Sequence, residues 1–251
     1  MIKLVRKDLK LFLGNKQDVL MGFALPIVFI TLFASVFGNM QGSAEGNSSG
    51  LVHVVAGTSV MMVLLSVAGI GGGLLNEKEE GMLKKLLCSP LPAHHILWGK
   101  VVIAMMIAVA QLSVMCIYAM LVFGLDVISH LTSLLVLFLA IAFCCSSFGV
   151  FIASISKSRQ QVQGLSTLII FIMSGIGGSM IPVFVMPGWM QSMAVFSVNY
   201  WGVQGFYDIF LHSIPLGGIP FLSKVFVLTG IGLLLNVIAQ LLFKRNILKI
   251  V

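Results

Sequence analysis

Long apolar segments alternate with short polar segments along this chain. Six of the apolar segments approach the length of about 20 residues that a helix needs to cross a bilayer. The pattern therefore predicts an all-α polytopic membrane protein with six transmembrane helices. The predicted spans are 19–37, 52–75, 97–123, 131–155, 162–181 and 221–243.

The first 15 residues have a different pattern. Their apolar residues recur every three or four positions, which places them on one face of a helix. The basic residues on the remaining faces are Lys3, Arg6, Lys7 and Lys10. A basic amphipathic helix of this kind lies in the membrane interface and does not cross it. We therefore expect an interfacial helix over 1–15, ahead of the first span.

The stretch 182–220 is apolar but repeatedly interrupted by Pro and Gly. Pro182 and Pro187 break it into short pieces, and Trp189, Tyr200 and Trp201 are residue types that favour the membrane–water interface. The pattern favours a re-entrant helical hairpin before the last span. The alternative is an ordinary surface loop with aromatic anchors.

Composition excludes a soluble fold. The chain has 251 residues, of which 59% are hydrophobic and 9% charged, and its mean hydropathy is +1.09. Soluble domains carry about 25% charged residues. Six spans leave no room for a second domain, so we expect a single domain over 1–251.

The distribution of Lys and Arg predicts the orientation. Of the 15 Lys and Arg residues, all but one lie in or next to the N-terminal helix, in the segment 76–95 or just after it at Lys100, in the loop 156–161, or in the tail. The exception is Lys224. Such a bias marks the cytosolic side, which predicts cytosolic termini. The net charge of +7 then reflects membrane anchoring, and no basic surface with interleaved aromatic residues suggests nucleic acid.

The segment 76–95 is the longest charged run in the chain. Read as a short helix, it has an apolar stripe, acids at its N-terminal end that suit the helix dipole, and prolines that stop it. Such a rod, tethered between two spans, could dock in a groove of a cytosolic partner. The alternative is an interfacial helix that rests on lipid.

The sequence offers little evidence for chemistry or for ion coupling. It has no phosphate-binding loop of the form GxxxxGK[ST], so we expect no enzyme activity and no cofactor in this chain. Its Cys and His residues lack the spacing of metal ligands, so we expect no metal. No acid lies in the middle of a span, which argues against a proton- or sodium-coupled carrier. His53, His130 and His212, at outer span ends, are expected to bond to headgroups or water, and Asp208 could line an exit.

Pairs of small residues suggest where helices pack closely. Gly69 with Gly73, and Gly175 with Ser179, have the spacing that lets two membrane helices approach, either inside one protomer or between two protomers.

The run at 77–90, EKEEGMLKKLLCSP, followed by the Gly99 and Lys100 pair, resembles the signature of type-2 ABC transporter permeases. That family has an acidic pair, Gly-Thr, a charged pair, Leu-Leu, a small residue and Ser/Thr-Pro. The chain departs from the family pattern at two positions. Met82 stands where the family usually has Thr, and Asn199 stands near a position where proline is common in the family. The residues that the resemblance assigns to coupling with an ATPase are Glu77, Glu79, Glu80, Gly81, Met82, Leu83, Leu86, Leu87, Ser89 and Pro90.

The resemblance implies a function. It makes 1–15 an elbow helix, 76–95 a coupling helix and 182–220 an outer hairpin. The chain would be the membrane subunit of an exporter for a hydrophobic or amphipathic compound, in a bacterial plasma or inner membrane. Its partners would be a second permease copy or paralogue and ATPase subunits that bind ATP and Mg²⁺. The alternatives are a membrane scaffold protein without transport and a secondary carrier.

Overall fold

The structure, a computed structural model, describes residues 7, 9–12, 14–37, 46–81 and 93–246. These residues form helices and turns, without a strand among them. Helix α1 covers 16–37 and comprises Lys16–Val19, a π turn at Leu20–Ala24 and Leu25–Phe37. The other helices are α2 (Gly46–Glu79), α3 (Ala93–Phe123), α4 (Leu131–Ile155), α5 (Arg159–Ile176), α6 (Gly188–Ala194), α7 (Val198–Phe210) and α8 (Ile219–Asn246).

Four described helices are long and apolar enough to cross a membrane. The four stretches are Ser49–Glu77, Leu97–Phe123, Leu131–Ile155 and Ile219–Phe243. They correspond to the second, third, fourth and sixth predicted spans. The first predicted span appears as the shorter apolar helix Leu20–Val36. The fifth, predicted over 162–181, overlaps α5, which has 18 residues, opens on polar Arg159, Gln160 and Gln161 and already ends at Ile176. The count of six spans stays a prediction.

The π turn in α1 lies just before Pro26. The Leu25 amide donates to the Leu20 carbonyl, five residues back. Proline has no amide hydrogen, and its ring clashes with the carbonyl of the residue four positions earlier, here Gly22. Widening the preceding turn relieves that clash, so the proline explains the π turn.

Helices α2, α3 and α4 pack against one another, and they form the main core together with residues of α7 and α8. The α2 and α4 backbones approach most closely where two glycines meet, because a Cβ added at Gly71 would lie 2.4 Å from the Gly149 carbonyl oxygen. Nothing lies within 4 Å of a Cβ added at Gly69, Gly73 or Gly175. Within the described chain, Gly69, Gly73 and Gly175 therefore make no close helix contact, and the α2 face that meets α4 is the one carrying Gly71. Close packing at these positions between two copies of the chain stays a prediction.

The stretch 182–220 contains a buried helix. Helix α7 packs against α2, α4 and α8, and its Phe206 and Ile209 side chains are fully buried. The exposed apolar residues of the stretch lie mainly before α7, where Phe184 and Phe196 are 72% and 87% exposed. The aromatic stretch is therefore divided into a packed helix and an exposed apolar surface.

The glycine crossing gives a stability prediction. Gly71→Ala should lower the thermal unfolding midpoint in detergent, because the added Cβ forces α2 and α4 apart, at a cost of about 1–3 kcal/mol. Gly73→Ala is the control, since a Cβ there meets nothing within 4 Å and alanine is the better helix former. Equal midpoints for the two variants would contradict this packing.

Candidate functional site

A buried carboxylate lies at the end of the bundle where the charged segment begins. Glu77, in the last turn of α2, is 6% exposed. Its Oε1 atom accepts a hydrogen bond from Lys7 Nζ at 2.9 Å and another from Lys100 Nζ at 3.1 Å. We call these three residues the Glu77 joint. Through one oxygen atom, the joint connects the N-terminal segment, α2 and α3.

The location of Glu77 makes the two lysines necessary. The C-terminal end of a helix carries partial negative charge, which disfavours a carboxylate. Removing a charged group from water costs several kcal/mol more unless the group is paired. The two ammonium groups offset both the unfavourable helix dipole and the cost of removing the carboxylate from water. This contact therefore depends on all three side chains together.

A second contact ties α5 to the same end of α2. The backbone amide of Arg159, the first residue of α5, donates to Glu79 Oε1 at 3.3 Å. Ser158 caps α5 by accepting a hydrogen bond from the Gln161 amide at 3.2 Å. Consequently the start of α5 is fixed to the last turn of α2.

The structure describes part of the predicted coupling segment. Glu77 and Glu79 belong to the last turn of α2, because this helix extends beyond Leu75, and they do not begin a separate short helix. Glu80 is exposed, and Gly81 has a φ of 71°, a left-handed conformation that glycine adopts readily. Met82, Leu83, Leu86, Leu87, Ser89 and Pro90 lie outside the described residues, so the apolar stripe stays a prediction.

The predicted elbow is described in part. Residues 9–12 are helical. Lys7 lies in the Glu77 joint, whereas Lys10 is exposed. Lys3 and Arg6 lie outside the described residues. At Lys7, at least, the basic face is directed to a protein carboxylate.

The five aromatic and proline residues predicted for the outer hairpin do not form one cluster. Pro182 precedes the turn Val183–Val185, and Pro187 precedes α6. Trp189 is 66% exposed. The Trp201 indole donates to the Val195 carbonyl at 2.8 Å, and the Tyr200 ring meets the Trp201 ring edge-on. The prolines therefore begin helical turns, while Trp201 closes the link between α6 and α7.

Asn199 carries a contact that its sequence position alone did not predict. Its side chain is fully buried, and Nδ2 donates to Ser174 Oγ at 2.6 Å. A proline there would provide neither this side chain nor the amide that donates to Ser197 Oγ. The residue thus fastens the start of α7 to the end of α5.

An ion pair lies at the opposite end of the bundle. Asp208, in α7, is 2% exposed and accepts a hydrogen bond from Lys224 Nζ, in α8. His212 Nδ1 lies 3.6 Å from the other carboxylate oxygen. Asp208 therefore pairs with Lys224, the one cation outside the predicted basic regions, and the expectation that it lines an exit is unsupported.

His53 differs from its predicted surroundings. It is 7% exposed, and its Nδ1 lies 2.6 Å from the Tyr207 hydroxyl in a hydrogen bond. The expectation of a headgroup or water contact is wrong at this nitrogen, because α7 covers the start of α2. His130 packs edge-on against Phe210.

Outside the membrane spans, Asp126 is exposed between α3 and α4. Hydrogen bonds from the side chain and the backbone of Ser129 lower its pKa below the usual value.

Sequence reasoning missed two partners, Lys100 for Glu77 and Lys224 for Asp208. The available signal was opposite charge at the ends of segments adjoining in the chain: Glu77 and Lys100 flank one loop, and Asp208 and Lys224 flank another. Among the described residues, no group of three or more His, Cys, Asp or Glu could hold a metal ion.

Comparison with known proteins gives a family match. The matching family is described as ABC-2 type transporter, and the match covers residues 1–211. The chain is also similar to YvfS of Bacillus subtilis (strain 168), a protein named as a transport permease. Identity to YvfS is 22% over 243 residues, which is 95% of each chain.

Two further relatives carry names that describe resistance or multidrug transport. The linearmycin resistance permease protein LnrN of Bacillus subtilis (strain 168) is 23% identical over 154 residues, 61% of this chain and 40% of LnrN. YbhR of Escherichia coli (strain K12), named as a multidrug ABC transporter permease, is 28% identical over 146 residues, 57% of this chain and 37% of YbhR. This chain therefore matches less than half the length of those two relatives.

The Glu77 joint gives the second prediction. Glu77→Gln should lower the thermal unfolding midpoint in detergent, because it leaves the buried Lys100 ammonium without its carboxylate, at a cost of about 3 kcal/mol. Glu80→Gln, at an exposed position, is the control. Adding Lys100→Met to Glu77→Gln should recover part of the loss; a strictly additive double variant would show that the two side chains do not stabilise each other.

Proposed function

We propose, starting from the fact that this chain belongs to the ABC-2 type transporter family, that it is the transmembrane permease subunit of an ATP-driven exporter. The observation that carries the proposal is the Glu77 joint, which lies where the segment 76–95 begins, in the last turn of α2. An ABC ATPase partner is what this family implies in general. ATP and Mg²⁺ would bind to that partner, outside this chain.

The joint supplies a means of coupling. A partner that closes on nucleotide pushes the segment 76–95, which is attached directly to α2 and α3. Because Glu77 holds both Lys7 and Lys100, the N-terminal segment and the adjoining ends of α2 and α3 move together. ATP binding then shifts the population between inward- and outward-facing states by its differential affinity for the two.

The charged end of the bundle faces the cytosol in this proposal. The support is the Lys and Arg bias, which marks the cytosolic side of membrane proteins. Both termini are then cytosolic, and the membrane is a bacterial plasma or inner membrane. Six spans follow if α1 and α5 also cross; α5 is about 27 Å long at 1.5 Å per residue, close to the thickness of the hydrocarbon core.

The stretch 182–220 is a re-entrant hairpin in this proposal. Support comes from two contacts along α2: a Cβ at Gly202 would lie 2.9 Å from Val60, and Tyr207 bonds to His53. Val60 lies about 16 Å inside the span that begins at Ser49. Helix α7 thus starts near the middle of α2 and returns toward the opposite end.

The substrate is a hydrophobic or amphipathic compound such as a drug, an antibiotic or a lipid-like molecule. The charged residues of the described spans, Glu77, Lys100 and Lys224, lie near span ends and are paired. The interior between them is apolar with scattered hydroxyl and amide groups, which suits a lipophilic compound. The name of LnrN mentions linearmycin resistance and that of YbhR multidrug transport, which supports a drug or an antibiotic as the cargo. A second permease copy or paralogue completes the transporter.

The third prediction tests docking of the ATPase. The chain is purified in detergent from its native membrane, and co-purifying proteins are identified by mass spectrometry. Leu86→Asp should remove a stoichiometric ATP-binding subunit, because it places a charge in the predicted docking stripe, while membrane insertion is retained. Leu91→Asp, which adds the same charge beyond Pro90, is the matched control.

A chain that purifies without an ATP-binding subunit would overturn the proposal. Flux measurements in vesicles would then distinguish a secondary carrier from a non-transporting scaffold. Full retention of the ATPase by Leu86→Asp would overturn the role of the stripe alone.

A further inference from the structure

One face of α3 carries three polar side chains at intervals of whole helical turns. Gln111 follows Lys100 by 11 residues, and Tyr118 follows Gln111 by seven, so all three lie on the same face. The first and the last are paired: Lys100 with Glu77 of α2, and the Tyr118 hydroxyl with Thr31 Oγ1 of α1 at 2.6 Å. This face of α3 therefore meets α2 at one end and α1 at the other.

Gln111, between these two pairs, is different. It is 1% exposed, and neither Nε2 nor Oε1 has a hydrogen-bond partner among the described residues. A buried polar group without a partner costs about 1–3 kcal/mol, and no bulk water enters the hydrocarbon core to satisfy it. The chain thus carries a costly side chain that the observed conformation does not use.

Three contacts place Gln111 at the level of the π turn in α1. Helices α2 and α3 run antiparallel from the Glu77–Lys100 contact, so Ser66, 11 residues before Glu77, lies level with Gln111. A Cβ at Gly22 of the π turn would lie 3.7 Å from Ser66 Oγ. Counting back seven residues from the Thr31–Tyr118 pair puts Ala24, the last residue of the π turn, at the same level.

The π turn has carbonyl groups that lack their usual donors. In an α-helix, the Gly22 carbonyl would accept from residue 26, which is a proline without an amide hydrogen. The Met21 carbonyl would accept from Leu25, whose amide donates to Leu20 instead. The Met21 and Gly22 carbonyls and the Gln111 amide group therefore lie at the same depth in the bundle, although they do not bond to each other in the observed conformation.

We propose that Gln111 is a positioning residue whose Nε2 donates to these π-turn carbonyls in a second state of the transport cycle. In that state the part of α1 that follows the π turn has shifted against α3, while the N-terminal segment that precedes the π turn stays attached to Glu77. The inference rests on the proposed function, since ATP-driven motion supplies the shift. Without this donor, the second state loses a hydrogen bond and its population falls.

The test uses the complete transporter, purified with its co-purifying ATPase and reconstituted in Escherichia coli lipid vesicles. Gln111→Leu should leave ATPase binding intact and the thermal midpoint at or above wild type, because an unsatisfied amide is replaced by an apolar side chain of similar size. ATPase turnover should fall about fivefold, the effect of one hydrogen bond. Ser113→Ala is the control, because the Ser113 hydroxyl donates within α3 to the Val109 carbonyl.

A second variant tests the partner group. Pro26→Ala restores the missing amide to α1 and should lower turnover in the same way. In the Pro26→Ala background, Gln111→Leu should then have little further effect, since both variants remove one interaction.

Three outcomes would overturn the inference: unchanged turnover in Gln111→Leu, a lowered thermal midpoint in that variant, or additive losses in the double variant. A wild-type complex that hydrolyses no ATP would overturn the proposed function and, with it, this inference.

Discussion

A single carboxylate oxygen, Glu77 Oε1, accepts hydrogen bonds from Lys7 and Lys100, and the arrangement of the charged end of the bundle depends on it. The carboxylate lies at the unfavourable end of α2, shielded from water, so the two lysines stabilise it only while the N-terminal segment and α3 keep their places. The contact from Glu79 to the Arg159 amide adds the start of α5 to the same assembly. Any force on the segment after Glu79 therefore acts on several helices at once.

Ion pairs lie at both ends of the bundle, and a buried amide without a partner among the described residues lies between them. Asp208 and Lys224 join α7 to α8 at the opposite end, as Glu77 joins α2 to α3. Between these ends, the π turn of α1 lies at the level of the Gln111 amide, which has no partner among the described residues.

The sequence predicted the features that depend on local pattern. Apolar length predicted six spans, and four of them match described helices that are long and apolar enough to cross a membrane, with boundaries close to those predicted. Helix α4 begins and ends where predicted, because a polar loop bounds each end. Pairings between segments could not be predicted this way. The Lys and Arg bias treats Lys100 as a cytosolic anchor, although its side chain is buried against Glu77. The small-residue spacing of Gly69 and Gly73 does not single out Gly71, because spacing alone does not say which face of a helix meets its neighbour.

The central claim is that the Glu77 joint keeps the N-terminal segment and α3 together through the transport cycle. Pulsed electron paramagnetic resonance tests it directly, with spin labels at Leu11 and Met106, two exposed positions on these elements, in a cysteine-free background of the ATPase complex. The account predicts one distance distribution, unchanged between the nucleotide-free and the ATP-trapped complex. A distance that changes by several ångströms on trapping would show that the joint opens and would contradict the account.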